Sequence, residues 1–218
     1  MRFSTKAIRA GQRPDPTTGS IVPPVYQAVN YVFDDIGRPH GFEYSRSGNP
    51  TRTALEQCLA SLEEARFGLA FGSGMAAIDA ALSILRPGDH IVSAEHIYGG
   101  TFRLFEQVYR PRGVSFTYAD GTRPEAFAQA MKPETRLVWI ETPANPLLQL
   151  VDVKAVARIA HDRGAKLVAD NTFSSPYFQR PLTQGADVVM HSTTKYISGH
   201  SDVIGGAVVT SDEKLHEA

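Results

Sequence analysis

Six short apolar stretches recur along this chain with helix-patterned segments between them, and no other feature restricts its fold so strongly. They are Phe67–Phe71, His90–Ala94, Val114–Tyr118, Leu137–Glu141, Leu167–Asp170 and Val188–His191. Each is short, mostly apolar and bounded by turn residues, which reads as a buried strand. Helical patterning falls over Met75–Leu85, Phe102–Val108, 123–131 and 152–163. Strand–helix alternation predicts an α/β fold with a mainly parallel sheet. In such a sheet the carboxyl ends of the strands gather at one edge, where ligands bind. Tyr98, Glu141, Asn145, Asp170 and the segment Ser192–Lys195 all follow strand ends and are expected at that edge.

The residues at that edge carry chemistry. Lys195 follows Ser192, Thr193 and Thr194 directly after a strand, with Gly199, Gly205 and Gly206 close behind. Hydroxyls and free backbone N–H groups suit a phosphate, and a lysine amine suits an aldehyde carbon. Pyridoxal phosphate carries both groups. The ordinary alternative is a surface lysine in a polar loop. Asp170 stands 25 positions before Lys195, about the length of one strand–crossover–strand unit. It could keep a pyridine nitrogen protonated, although an aspartate after a strand is often only a helix cap. Gly72-Ser-Gly74 opens a helix, where backbone N–H groups favour an anion, but most such turns bind nothing. Asn145 is a candidate donor to a phenolic oxygen or a substrate carboxylate, and Thr172 a support for Asp170 or the ring.

Six spaced motifs then agree. Tyr44-Ser-Arg46-Ser-Gly-Asn-Pro-Thr51, Phe71-Gly-Ser-Gly74-Met-Ala-Ala, Tyr98-Gly-Gly-Thr101, Glu141-Thr-Pro-Ala-Asn145-Pro, Asp170-Asn-Thr172 and Ser192-Thr-Thr-Lys195-Tyr run along nearly the whole chain. Together they resemble the cystathionine γ-lyase and γ-synthase group of pyridoxal-phosphate enzymes. The resemblance implies a type I, aspartate-aminotransferase-like large domain with pyridoxal 5'-phosphate as cofactor. It implies Lys195 as the lysine that binds the cofactor and moves protons, Asp170 as the partner of the ring nitrogen, and Tyr98 stacked on the ring and assisting the leaving group. It assigns Ser192, Thr194, the backbone of Gly74 and Met75, and Tyr44 and Arg46 to the phosphate. Glu141, Asn145 and Arg103 fall to the substrate, Arg103 to its distal part. Cystathionine γ-lyase is the first expectation, on Gly41–Arg52 and Ser175–Leu182; cystathionine γ-synthase is the alternative. Methionine γ-lyase comes third, because that enzyme typically has cysteine where this chain has Gly100.

Residues 1–50 are rich in proline and glycine without a sustained period, yet Ile21–Tyr26 and Val29–Phe33 are too apolar for a solvated tail. An arm lying on a neighbouring subunit explains both facts. The resemblance implies the same, with Tyr44 and Arg46 entering the neighbour's site, a dimer with shared sites and a homotetramer. Residues 51–218 are then the cofactor-binding α/β domain. Members of the group are longer, with a C-terminal domain carrying the arginine that grips the substrate carboxylate. The helix start at Ser211–Ala218 is therefore expected to end an incomplete chain.

Composition excludes several other classes. Lys and Arg number 22 against 23 Asp and Glu, which calls for neither nucleic acid nor an anionic membrane. No apolar run approaches a membrane span, and the single cysteine, Cys58, fits a reducing compartment, so the expectation is a cytoplasmic protein. Cys58 falls with Leu55, Leu59 and Leu62 on one helix face and reads as a small core residue. His96, His191 and His200 form no ligand grouping with it, and no metal site is expected. A dinucleotide-binding oxidoreductase would need a third glycine after Gly72-Ser-Gly74, where Met-Ala-Ala stands instead. A non-catalytic homologue that keeps the cofactor site is the other rival.

Overall fold

The computed structural model describes residues 1–218. Its first fifty residues hold a short helix α1 (Phe3–Arg9) and a small hairpin of β1 (Phe33–Asp35) and β2 (Arg38–Pro39). Neither element is marked by a sustained period in the proline- and glycine-rich sequence. Then follow α2 (Pro50–Glu63), β3 (Phe67–Phe71), α3 (Gly74–Leu82), β4 (His90–Ala94) and α4 (Gly99–Leu104), which runs on through a π-helical turn, Phe105–Tyr109. The rest comprises β5 (Ser115–Ala119), α5 (Pro124–Ala130), β6 (Thr135–Glu141), α6 (Val153–Asp162), β7 (Lys166–Asp170), α7 (Ser175–Phe178), β8 (Val188–His191), β9 (Gly206–Thr210) and α8 (Glu213–Glu217).

Seven strands form one sheet in the order β3-β9-β8-β7-β6-β4-β5. Strands β8 through β5 are mutually parallel, and β9 runs antiparallel to both β8 and β3. Six strands therefore end at one edge, and β9 begins there. The fold is α/β with a mostly parallel sheet, as the alternation predicted. Strand β9 was not foreseen, because Gly205 and Gly206 at its start read as part of the lysine loop.

The helices reach the sheet through glycine. A Cβ on Gly68 would lie 2.5 Å from the Glu56 carbonyl oxygen of α2, and one on Gly206 would lie 2.1 Å from the Ser73 oxygen at the start of α3. Gly68 pairs with Val209 and Phe71 with Gly206, so the two glycines face opposite sides of the sheet. Helices α2 and α3 accordingly pack on opposite faces. The sheet core is apolar: Leu137, Trp139 and Ile140 of β6 are fully buried, and Phe105 meets Trp139 edge-on at 5.7 Å.

Helix α2 starts as its sequence predicts. The Asn49 side chain accepts from the Thr51 and Arg52 N–H groups, with Pro50 at the first position. On its apolar face Leu59 is buried, whereas Leu55 is exposed and Cys58 half-buried under α1. Burial still pushes the Cys58 thiol above its usual range. No helix is long and apolar enough to cross a membrane.

Candidate active site

The carboxyl edge of the sheet opens into a cavity of about 250 Å³. Gly74, Met75, Tyr98, Glu141, Asn145, Asp170, Thr172, Ser192, Thr194 and Lys195 all line it. They come from the loops after five different strands, so the sheet alone brings together residues spread over more than a hundred positions.

One end of the cavity is built to receive an anion. Ser73 caps α3 by accepting the Ala76 N–H at 3.1 Å, leaving Gly74 and Met75 in the first turn, where N–H groups have no intrahelical acceptor. A Cβ on Gly74 would stand 2.8 Å from the Ser192 Cβ, so the absent side chain is what lets the serine lie against this turn. Thr194 Oγ1 is held by the Gly205 N–H at 3.0 Å, which fixes the loop before Lys195 to the start of β9. The Thr172 hydroxyl accepts the Ser192 N–H at 2.9 Å and couples the loops after β7 and β8.

The other end is acidic. Asp170 is buried, and its Oδ1 accepts the Thr172 N–H at 3.0 Å. Burial holds its carboxyl above the usual aspartate range, against the Thr172 hydrogen bonding and the charge of His191, which lower it. Glu141 pairs directly with Asp170 across β6 and β7. Its Oε2 accepts the Tyr98 N–H at 2.5 Å and its Oε1 the Asn145 N–H at 2.9 Å. Desolvation, then the neighbouring Asp170 charge, push Glu141 up to about 7, with the two N–H bonds pulling back.

An anion cradle, a buried carboxylate, a lysine at the open side and an aromatic ring in one cavity fit pyridoxal phosphate. Ser192, Thr194 and the α3 turn would take its phosphate, Asp170 its ring nitrogen and Tyr98 its ring face. Three expected residues stand elsewhere in this chain. Arg46 lies over the Tyr44 ring, 4.9 Å from its centroid, on the arm, and neither residue lines the cavity. Arg103 is exposed on α4 and does not line it either.

Sequence reasoning missed Ser73, Ile78, Phe173, Met190 and Ile204, which complete the walls. Ser73 had a signal: serine before a glycine-opened helix is a cap. The others are apolar residues whose exposure to a cavity no spacing reveals. It also missed a buried cluster beneath the site, on the α2 face of the sheet. There Glu63 Oε1 meets His191 Nε2 at 2.5 Å and accepts from the Asn171 amide at 2.9 Å. No group of three His, Cys, Asp or Glu side chains is placed to hold a metal.

The family model described as Cys/Met metabolism PLP-dependent enzyme matches residues 4–218. The cystathionine gamma-synthase of Mycobacterium tuberculosis is 54% identical over 216 residues, covering 98% of this chain and 56% of that protein. The crystal structure of metB from Corynebacterium glutamicum superposes with a TM-score of 0.98 at 50% identity, covering 100% of this chain and 57% of that one. A cystathionine gamma-lyase from Micromonospora echinospora gives 0.94, also at 50% identity, with the same coverage. The chain thus spans slightly more than half the length of these relatives.

Proposed function

Because the chain belongs to the Cys/Met metabolism PLP-dependent enzymes, we propose that it makes or breaks a carbon–sulfur bond at the γ-carbon of a cystathionine-type amino acid. The convergence of Lys195, Asp170, Tyr98 and the Gly74–Met75 turn on one cavity carries this reading. Pyridoxal phosphate, when bound there, supplies the electron sink for a carbanion. Lys195, exposed at the cavity mouth, has the freedom to reach the Cα proton, remove it and deliver it to a neighbouring carbon. Asp170, fixed by the Thr172 N–H, holds the proton on the ring nitrogen. Gly74, Met75, Ser192 and Thr194 bind the phosphate, and Tyr98 covers the ring and assists the departing sulfur. Asn145 serves the substrate in the cavity, and Arg103, exposed outside it, would meet only the substrate's distal part.

The phosphate is completed by Tyr44 and Arg46 of a second copy, so residues 1–50 act as an arm across a dimer and residues 51–218 as the cofactor domain. The arm's own apolar side chains support this: Val25 and Val32 are about three-quarters exposed, at 73% and 75%, and Ile36 is 98% exposed within one chain. Arms so apolar are stable when another surface covers them.

The Gly41–Arg52 and Ser175–Leu182 stretches put γ-elimination of cystathionine first, whereas the higher identity to a named γ-synthase supports γ-replacement with cysteine. One experiment tests the shared reading and separates the two products. The purified gene product should show a visible cofactor band that borohydride bleaches. It should also act on cystathionine, or on an activated homoserine plus cysteine. Lys195→Ala should lose the band and at least about 100-fold in rate while keeping its fold. Covalent trapping of cofactor by that variant would overturn the assignment of Lys195.

A further inference from the structure

Glu141 ends β6 at the sheet edge, where the resemblance assigns it to the substrate. Its carboxylate lies in the cavity wall but is buried, and both oxygens are already taken by backbone N–H groups. One belongs to Tyr98, at the start of α4; the other to Asn145, in the loop after β6. Those residues sit 47 positions apart and face the same cavity. A buried N–H without an acceptor costs free energy, so each bond fixes its loop. Their common acceptor fixes the loops relative to each other.

We propose that Glu141 is a positioning residue for the cofactor site: by accepting the Tyr98 and Asn145 N–H groups together, it sets the ring-covering tyrosine and the asparagine in register around the cavity. This rests on the reading of the cavity as a pyridoxal-phosphate site. It gives Glu141 a role through Tyr98 and Asn145 instead of direct contact with substrate.

The arrangement has an electrostatic side. Asp170 of β7 lies beside Glu141 in register, and its charge acts on Glu141. Lys195 faces both from the loop after β8, Tyr98 bounds the cavity from the loop after β4, and His191 lies on the opposite face of the sheet. Two buried carboxylates side by side hold one proton readily at neutral pH. A cationic ring nitrogen arriving at Asp170 favours the pair with both carboxylates ionised, so cofactor binding should expel the Glu141 proton. Affinity for pyridoxal phosphate should then rise with pH through about 7, more steeply with Glu141 than without it.

The test compares wild type with Glu141→Gln and Glu141→Asp. Pyridoxal phosphate affinity is followed by visible circular dichroism from pH 6 to 8, and amide hydrogen exchange is read at Tyr98 and Asn145. Glutamine keeps one acceptor and turns a donor toward the other N–H. It should weaken binding about 10-fold or more, flatten the pH dependence and speed exchange at one or both amides. Aspartate keeps the charge but is too short to serve both loops, so wild-type affinity and exchange in Glu141→Asp would show that charge alone matters and overturn the proposal. Unchanged affinity, slope and exchange in Glu141→Gln would overturn it as well. If the glutamine variant does not fold, unprotected Tyr98 and Asn145 amides in the wild-type holoprotein would do the same. A wild type that binds no pyridoxal phosphate would instead sink the functional reading beneath it.

Discussion

His191 Nε2 lies 2.5 Å from Glu63 Oε1, joining the end of β8 to the end of α2 across 128 positions of sequence. Both side chains are fully buried, and Asn171, the residue after Asp170, donates to the same carboxylate oxygen. Gln179 then binds Asn171 from α7's end, its amide 3.2 Å from the Asn171 side-chain oxygen. One glutamate beneath the sheet thus anchors the two loops that carry Asp170 and Lys195.

Removing one partner from such a buried pair leaves the other charge or dipole uncompensated, at a cost of about 3–5 kcal/mol. Glu63→Ala should therefore lower the urea midpoint strongly, and Glu63→Gln less. A loss below about 1 kcal/mol, the value of an exposed pair, would show that water has replaced the contact.

Subunit mixing tests the shared phosphate site. Arg46→Ala and Lys195→Ala subunits should each be inactive alone. A mixed dimer has one site with both groups intact, so exchange should restore up to about a quarter of wild-type activity if the subunits pair at random and the sites act independently. Failure to recover activity in a mixture shown to exchange would place Tyr44 and Arg46 outside the site.

Stability of the cofactor-free protein should depend on pH through Glu141. Its carboxyl rises from the ordinary 4.5 to about 7 on folding, so the folded state binds this proton more tightly than the unfolded chain. The contribution is fully present below about 4.5 and is lost as pH rises through about 7, by at most about 3 kcal/mol. Asp170, raised in the same direction, adds to the slope. Thermal unfolding of the apoprotein between pH 5 and 8 should show this decline, and Glu141→Gln should flatten it. A stability that rises with pH across that range would contradict the burial of the pair.

Gly100 is tested by a single methyl group. A Cβ there would lie 2.3 Å from Tyr98 Cε1 and 2.8 Å from Met75 Sδ. Gly100→Ala must therefore turn the tyrosine ring or displace the α4 start. Cofactor binding should persist with an altered visible dichroism, while turnover falls on the order of 10-fold or more. An unaltered spectrum and rate would mean that the ring is free to move without consequence.

The sequence was most legible where one residue's own chemistry decides its place. Asp170 and Lys195 follow short apolar runs, and a parallel sheet sends both to the same edge whatever the remaining packing. Asn49-Pro50 marked the start of α2 because cap and first-turn preferences are local. Glu141 and Asn145 were placed at the edge, but not the carboxylate's engagement by two backbone N–H groups, since a partner's identity depends on how loops from different strands meet. The Glu63–His191 pair lay beyond reach for the same reason. Helix α1 was hidden because Phe3–Arg9 leads into a proline-rich stretch and carries little apolar pattern of its own.

Strand β9 also bears on how the protein is made. Residues 67–71 of β3 pair only with 206–210, so the strand leading into the anion cradle has no place in the sheet until β9 has been synthesised. At a translation rate of about 5–20 residues per second, that strand waits roughly 7–28 seconds with its apolar residues unpaired. The half-made chain is then open to misassociation, and mutations that slow β9 docking should lower yield in the cell without touching the chemistry of the finished site.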